Sequence, residues 1–166
     1  YRMQQAHRVI GAVTDEHVAA VVRRGLEYRE RTDGAFDVVR GRLEHDLKAY
    51  LRGEREGPPE QSVGGGRDPS DGPAVCVSGS TVTTDVPLDL NGLAKGYLVD
   101  RTYDALAGLG RRGFVDGGGD VAHPTGPVGV ESPYGDETPL AVLETDWNVA
   151  TSGGYRRRRG DGDHLY

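Results

Sequence analysis

The apolar residues of this chain come in short runs parted by small-residue turns, and the order of those runs most restricts the fold. Val18, Val21, Val22 and Leu26 recur at helical spacing and predict a helix over 14–32. In this reading Thr14 caps it, and Asp15 and Glu16 place negative charge in the first turn, where the helix dipole favours it. Thr32-Asp33-Gly34 ends it. Two β-prone runs, 75–77 and 81–84, flank Ser78-Gly79-Ser80 and predict a hairpin. A second helix is predicted from Ala94 to Leu109, with Leu98, Ala105 and Leu109 on one stripe, Leu106 beside it, and Gly110 just past its end. Short strands are predicted at 114–115, 128–130, 140–143 and 147–150. Helix, hairpin, helix and then mostly strands predicts an α+β domain, with helices packed on a mostly antiparallel or mixed sheet.

Composition narrows the class further. The 166 residues suit one domain with a core of its own. The segment 53–73, rich in Gly, Pro and charge, reads as a mobile surface loop. Mean hydropathy is -0.57, and no stretch approaches the ~20 apolar residues that span a bilayer. A net charge of -6 argues against a general nucleic-acid binder, which carries a basic field. The one dense basic run, Arg156 to Arg159, reads as a solvated or ion-paired face. The single cysteine, Cys76, excludes an internal disulfide, and its place in Val75-Cys76-Val77 predicts a buried structural thiol.

Four turns carry the chemistry: 33–37, 89–96, 117–120 and 151–154. Glycine lets a backbone come close to a ligand, and backbone N–H groups at turns and helix starts bind phosphate oxygens. Asp89-Leu90-Asn91-Gly92-Leu93-Ala94-Lys95-Gly96 opens a helix and adds one cation, a combination suited to a pyrophosphate. Lys95 is one of only two lysines, the other being Lys48. Neither the P-loop nor the Rossmann fingerprint is present. The residues alone leave two readings open, ligand site or plain tight connection. On the second reading Asp37 braces a turn, Asp89 caps a helix, Lys95 is solvated, Asp120 is a turn residue, and Thr151 and Ser152 cap a turn. Asp100 reads as a partner of Arg101 or a buried structural carboxylate. The five histidines lack ligand spacing, and Asp161-x-Asp163-His164 reads as a solvated tail.

Four segments, in order, resemble those of the FAD:protein FMN transferase (ApbE) family. Thr32-Asp33-Gly34-Ala35-Phe36-Asp37 is similar to its T-x-G-A-F-D segment. Residues 89–100, DLNGLAKGYLVD, resemble D-L-G-G-I-A-K-G-Y-A-V-D. Gly117-Gly118-Gly119-Asp120-Val121 is similar to N-A-G-G-D-I, and residues 150–156, ATSGGYR, to A-T-S-G-x-Y-x-R. Members bind FAD and Mg²⁺ and move the FMN half of FAD onto a Ser or Thr hydroxyl of a target flavoprotein, releasing AMP. The resemblance implies FAD contacts at Ala35, Phe36, Asp37, Asp89, Lys95, Thr151 and Ser152, with Lys95 near the phosphates, and a Gly92 carbonyl for Mg²⁺. Tyr1-Arg2 resembles the family's S-x-Y-R strand, whose tyrosine faces the flavin.

Members also carry an H-x-x-D-P-x-T-G segment with a histidine tied to activity, and an A-D-x-x-x-T segment whose aspartate and threonine hold Mg²⁺. Neither occurs by Tyr166, and the family's N-terminal strand is not matched, so the chain is expected to be a partial one. His164 precedes the expected histidine position, and no catalytic residue is assigned. A flavin- or nucleotide-binding module without catalysis, or an FAD pyrophosphatase giving FMN and AMP, are the alternatives to transfer. Many members are anchored outside the membrane, and the sequence leaves anchored and cytoplasmic forms both open.

Overall fold

A computed structural model of the protein describes residues 10–59, 73–132, 134, 138–152, 158–159 and 162–163. The segment 53–57 is turn and bend and 58–59 has no regular structure, while 60–72, with most of the predicted loop, lies outside the described residues. The fold is α+β, with three α-helices and ten short strands among the described residues. It comprises two compact units, Tyr1–Leu93 with Arg159–His164, and Ala94–Arg158 with Leu165–Tyr166.

The first unit is built on β1 (Gly11–Thr14), α1 (Glu16–Arg31), a 3-10 turn (Val38–Arg40), α2 (Gly41–Leu51), β2 (Val75–Ser78) and β3 (Thr81–Thr84). Its sheet runs β1-β3-β2, antiparallel throughout, with Thr83 opposite both Ala12 and Cys76. The predicted hairpin is present, turning at Gly79-Ser80. Side chains alternate across the sheet: Val75, Val82 and Thr84 are buried, while Thr83 and Cys76 face outward. Cys76 is therefore exposed, not the buried thiol expected from its apolar neighbours. The period-2 alternation of a strand, rather than local hydropathy, decides its face.

Helix α1 buries Val18, Ala19, Val21 and Val22, and each buried valine contributes about 1.5–3 kcal/mol relative to exposure. Leu26 is only half-buried. The cap is Asp15, whose side chain accepts from the N–H groups of His17 and Val18 at 2.9 and 3.0 Å. Thr14 is instead the last residue of β1, its Oγ1 lying 3.0 Å from that of Thr81. Strand β1 and helix α2 have no counterpart in the sequence reading. Two close approaches set the packing. A Cβ on Gly25 would clash with Val38 Cγ1, and a Cβ on Gly41 would lie 2.6 Å from the backbone of Pro87 and Leu88. Val38, Leu88 and Leu90 are fully buried and complete this core.

Helix α3 spans Asn91–Gly108, its first three residues counting with the first unit. It starts three residues earlier than the sequence predicts. Its end is a Schellman motif, as Gly110 suggests. The N–H of Arg111 reaches the Leu106 carbonyl at 3.0 Å and that of Gly110 the Ala107 carbonyl at 2.9 Å, with Gly110 at φ 69°. The rest of the second unit is β4 (Val115–Asp116), β5 (Asp120–Ala122), β6 (Val128–Val130), β7 (Ala141–Leu143) and β8 (Val149–Ala150). They form an antiparallel β4-β5-β8 sheet and a β6-β7 ribbon. The pair β9 (Arg158–Arg159) and β10 (Gly162–Asp163) follows in the chain and, apart from Arg158, counts with the first unit.

The predicted Leu98–Leu109 stripe is not a core face: Leu98, Leu106 and Leu109 are all exposed. The buried residue of α3 is Val99, whose Cγ2 would clash with a Cβ on Gly117. No helix among the described residues is long and apolar enough to cross a membrane.

Candidate functional site

Within the first unit, two of the four singled-out segments come together. Helix α1 stops at Thr32, whose hydroxyl donates to the Tyr28 carbonyl at 2.7 Å and accepts from the Phe36 N–H at 3.0 Å. Asp33 and Gly34 take positive φ values, 51° and 80°, so the chain reverses in two residues. That reversal sets Phe36 edge-on to Tyr28, with ring centroids 6.1 Å apart. The same ring lies over Gly92, where an added Cβ would be 3.2 Å from Phe36 Cε2. A backbone bond from the Asp89 N–H to the Val38 carbonyl, 2.7 Å, ties the two segments directly. Ala35 is exposed beside them.

Asp37 does two structural jobs at once. Its Oδ1 accepts from the Val39 N–H at 3.0 Å, capping the 3-10 turn, and lies 3.1 Å from Arg29 Nε. Its Oδ2 is 4.0 Å from Arg40 Nε, and the side chain is only 11% exposed. Asp89 builds the entry to α3: its Oδ1 accepts from the Asn91 N–H at 3.0 Å and from Asn91 Nδ2 at 2.9 Å. This is an Asx-type arrangement, in which a short carboxylate folds back on backbone two residues ahead.

Within the second unit the remaining segments converge on Lys95. Its ammonium lies 3.2 Å from Asp120 Oδ2 and donates to the Gly118 carbonyl at 3.1 Å. Lys95 is about half exposed at 48%, while the Asp120 side chain is 15% exposed. Gly118 and Gly119 adopt φ of 79° and 93°, which suit glycine alone. Their N–H groups converge on Asp116 Oδ1 at 2.8 and 3.0 Å. The anion gathered by this turn is thus a carboxylate of the chain itself, where the sequence suggests a phosphate. Thr151 joins through its N–H, which donates to the Gly119 carbonyl at 2.8 Å, and Asp120 pairs with Ala150 across β5 and β8. Ser152 is exposed next to it.

Asp100 holds neither place foreseen for it. Arg101 pairs with Asp104 at 3.3 Å, and Asp100 is exposed, its Oδ1 accepting from Asn148 Nδ2 at 2.9 Å. Arg29, Asp116 and Asn148 escaped the sequence reading, and His123 figures there only among the histidines without ligand spacing. For Asp116 a signal existed, since an aspartate just before a glycine run is an Asx-turn former. The others are set by tertiary contacts. Tyr1 and residues 153–157 lie outside the described residues. Among the described residues no three His, Cys, Asp or Glu side chains gather to hold a metal ion. Gly92 offers one carbonyl and sits in the first turn of α3, so the described residues do not by themselves fit a Mg²⁺ centre.

The fold is that of known flavin transferases. The Flavin Transferase ApbE from Vibrio cholerae superposes with a TM-score of 0.64 at 22% identity, covering 98% of this chain and 57% of that one. The flavinyl transferase ApbE from Pseudomonas stutzeri, in its apo form, superposes at 0.60 with 21% identity, covering 93% of this chain and 54% of that one. The chain thus spans little more than half the length of these structures. None of the curated proteins matches. The ApbE family matches residues 1–166, and the chain belongs to that family.

Proposed function

We propose that this chain is part of an FAD:protein FMN transferase, and that Lys95 contacts the pyrophosphate of FAD. The observation that carries the reading is the placement of Lys95. A half-exposed ammonium stands near the start of α3, held by a carboxylate and a carbonyl rather than left to swing. An ammonium has three N–H donors, and these two partners fix its direction. A positioned cation beside the phosphorus stabilises charge as a phosphoryl bond breaks, which is the main task in such transfers.

In the proposed reaction the hydroxyl oxygen of an acceptor Ser or Thr attacks the flavin-side phosphorus. A new phosphoester bond forms, the bond to the bridging oxygen breaks, and AMP departs with that electron pair while the hydroxyl proton passes to a base. Ala35, Phe36, Asp37, Asp89, Thr151 and Ser152 are the further FAD contacts in this reading. Phe36 offers an aromatic edge, and Asp89 a carboxylate at a helix entry. Mg²⁺ belongs to the reading as a requirement of the reaction, with no ligand set assigned to it.

The test uses the complete gene product, incubated with FAD, Mg²⁺ and a target flavoprotein domain. Mass spectrometry is expected to show one added FMN on a Ser or Thr, and none when EDTA is present. An unmodified target beside a folded, FAD-loaded enzyme contradicts transfer. FMN and AMP released without target labelling identify a pyrophosphatase instead.

A further inference from the structure

Helix α3 meets the β4-β5-β8 sheet and the connections at its strand ends at four points. Lys95, Val99 and Tyr103 recur every four residues and form one stripe along the helix. Lys95 pairs with Asp120 at the start of β5, and Val99 fills the space over Gly117. Tyr103 stacks on His123, ring centroids 3.9 Å apart and 18° from parallel. Beside the stripe, Asp100 accepts from Asn148 Nδ2 at 2.9 Å, and Asn148 Oδ1 accepts from the His123 N–H at 3.0 Å. One amide thus joins the helix to the chain after β5 and just before β8.

Two features set this solvent-exposed connection apart. His123 carries φ of 50°, an unusual value for a residue with a side chain. It is held there by the Asn148 bond on its backbone and the Tyr103 ring on its side chain. Asn148 uses its amide in both senses, oxygen accepting and nitrogen donating, and neither a carboxylate nor an apolar side chain does both.

We infer that Asp100, Asn148 and His123 form a positioning latch that fixes α3 against the β4-β5-β8 sheet, so that Lys95 is presented to a phosphate. The latch rests on the proposed flavin-nucleotide site and concerns how its lysine is held. Asp100 and Asn148 are positioning residues acting through Lys95, with no contact to the ligand of their own. The geometry makes the pair exchangeable in one way. Asn148→Asp keeps the acceptor for the His123 N–H but sets a second carboxylate against Asp100. Adding Asp100→Asn then restores a donor facing an acceptor, with the chemistry of the two positions swapped.

FAD and riboflavin are titrated into the complete gene product carrying Asn148→Asp, Asp100→Asn/Asn148→Asp, Asp100→Ala or Lys95→Ala. Riboflavin shares the flavin ring but lacks the phosphates. Asn148→Asp is expected to weaken FAD about tenfold, within the range of couplings between contacting residues, to leave riboflavin unchanged, and to be rescued by Asp100→Asn. Asp100→Ala, which adds no repulsion, follows the same ligand selectivity should Asn148→Asp fail to fold. Variants that bind FAD like wild type, lose both ligands alike, or go unrescued overturn the latch. Lys95→Ala separates the two layers. If it too binds FAD like wild type, the phosphate contact itself is overturned; if it loses FAD while the latch variants do not, the latch alone falls.

Discussion

Lys95 and Asp120 are joined across the glycine turn that Asp120 itself closes: its carbonyl accepts from the Gly117 N–H at 2.8 Å, the charged atoms stand 3.2 Å apart, and the Gly118 carbonyl takes a second ammonium proton. Residues that act as one unit give non-additive effects. Asp120→Asn is therefore expected to weaken FAD binding, by less than Lys95→Ala does. Placed on the Lys95→Ala background it should change little. A double-mutant cycle by calorimetry checks this, and full additivity of the two losses would show that Asp120 does not act through Lys95.

Gly92→Ala separates packing at the site from stability. The added Cβ lies 3.2 Å from Phe36 Cε2, so the ring must yield by a few tenths of an ångström. Within a helix the same change gains up to about 1 kcal/mol of propensity. The melting temperature is expected to hold or rise while FAD affinity falls. Thermal unfolding and an FAD titration on the same preparation read both, and unchanged affinity would take Phe36 and Gly92 out of the site.

Gly25→Ala is expected to destabilise by about 1–3 kcal/mol, the usual cost of overpacking a filled core. The new methyl would clash with Val38 Cγ1. The cost should shrink markedly when Val38→Ala is present. Urea unfolding of the two single variants and the double gives the coupling directly.

The cap of α1 offers a control remote from the chemistry. Asp15 accepts from two backbone N–H groups, so Asp15→Ala should cost about 1 kcal/mol and lower the melting temperature by roughly 2–4 °C. FAD affinity measured well below the transition should not move.

Much of this molecule could be read before its structure. The hairpin at 75–84, the helix stop at Thr32-Asp33-Gly34 and the glycine end of α3 are local events, each fixed by a few neighbouring residues. The reversals at 33–37 and 117–120 were legible for the same reason, since each is set by a few neighbouring residues. What failed depended on distant partners. Thr14 leaves the helix because Thr81 and its strand recruit it into the sheet. Leu98, Leu106 and Leu109 keep helical spacing yet lie exposed, while Val99 is buried because Gly117, far along the chain, leaves it room. Asp100 bonds to Asn148 rather than its neighbour Arg101, a contact no window of sequence contains.

The placement of Lys95 carries the functional account, so FAD titration of wild type, Lys95→Ala and Lys95→Arg in the complete gene product tests it most directly. Losing one charge-assisted hydrogen bond should cost about 1.5–3 kcal/mol, roughly one to two decades of affinity. Arginine, a planar fork needing a different approach, should not fully restore it beside Gly118 and Asp120. A solvated surface lysine predicts a change within about 0.5 kcal/mol. Affinity falling at least tenfold for Lys95→Ala, with partial recovery at most for Lys95→Arg, is the result the account predicts. Superimposable titration curves for wild type and Lys95→Ala would contradict it.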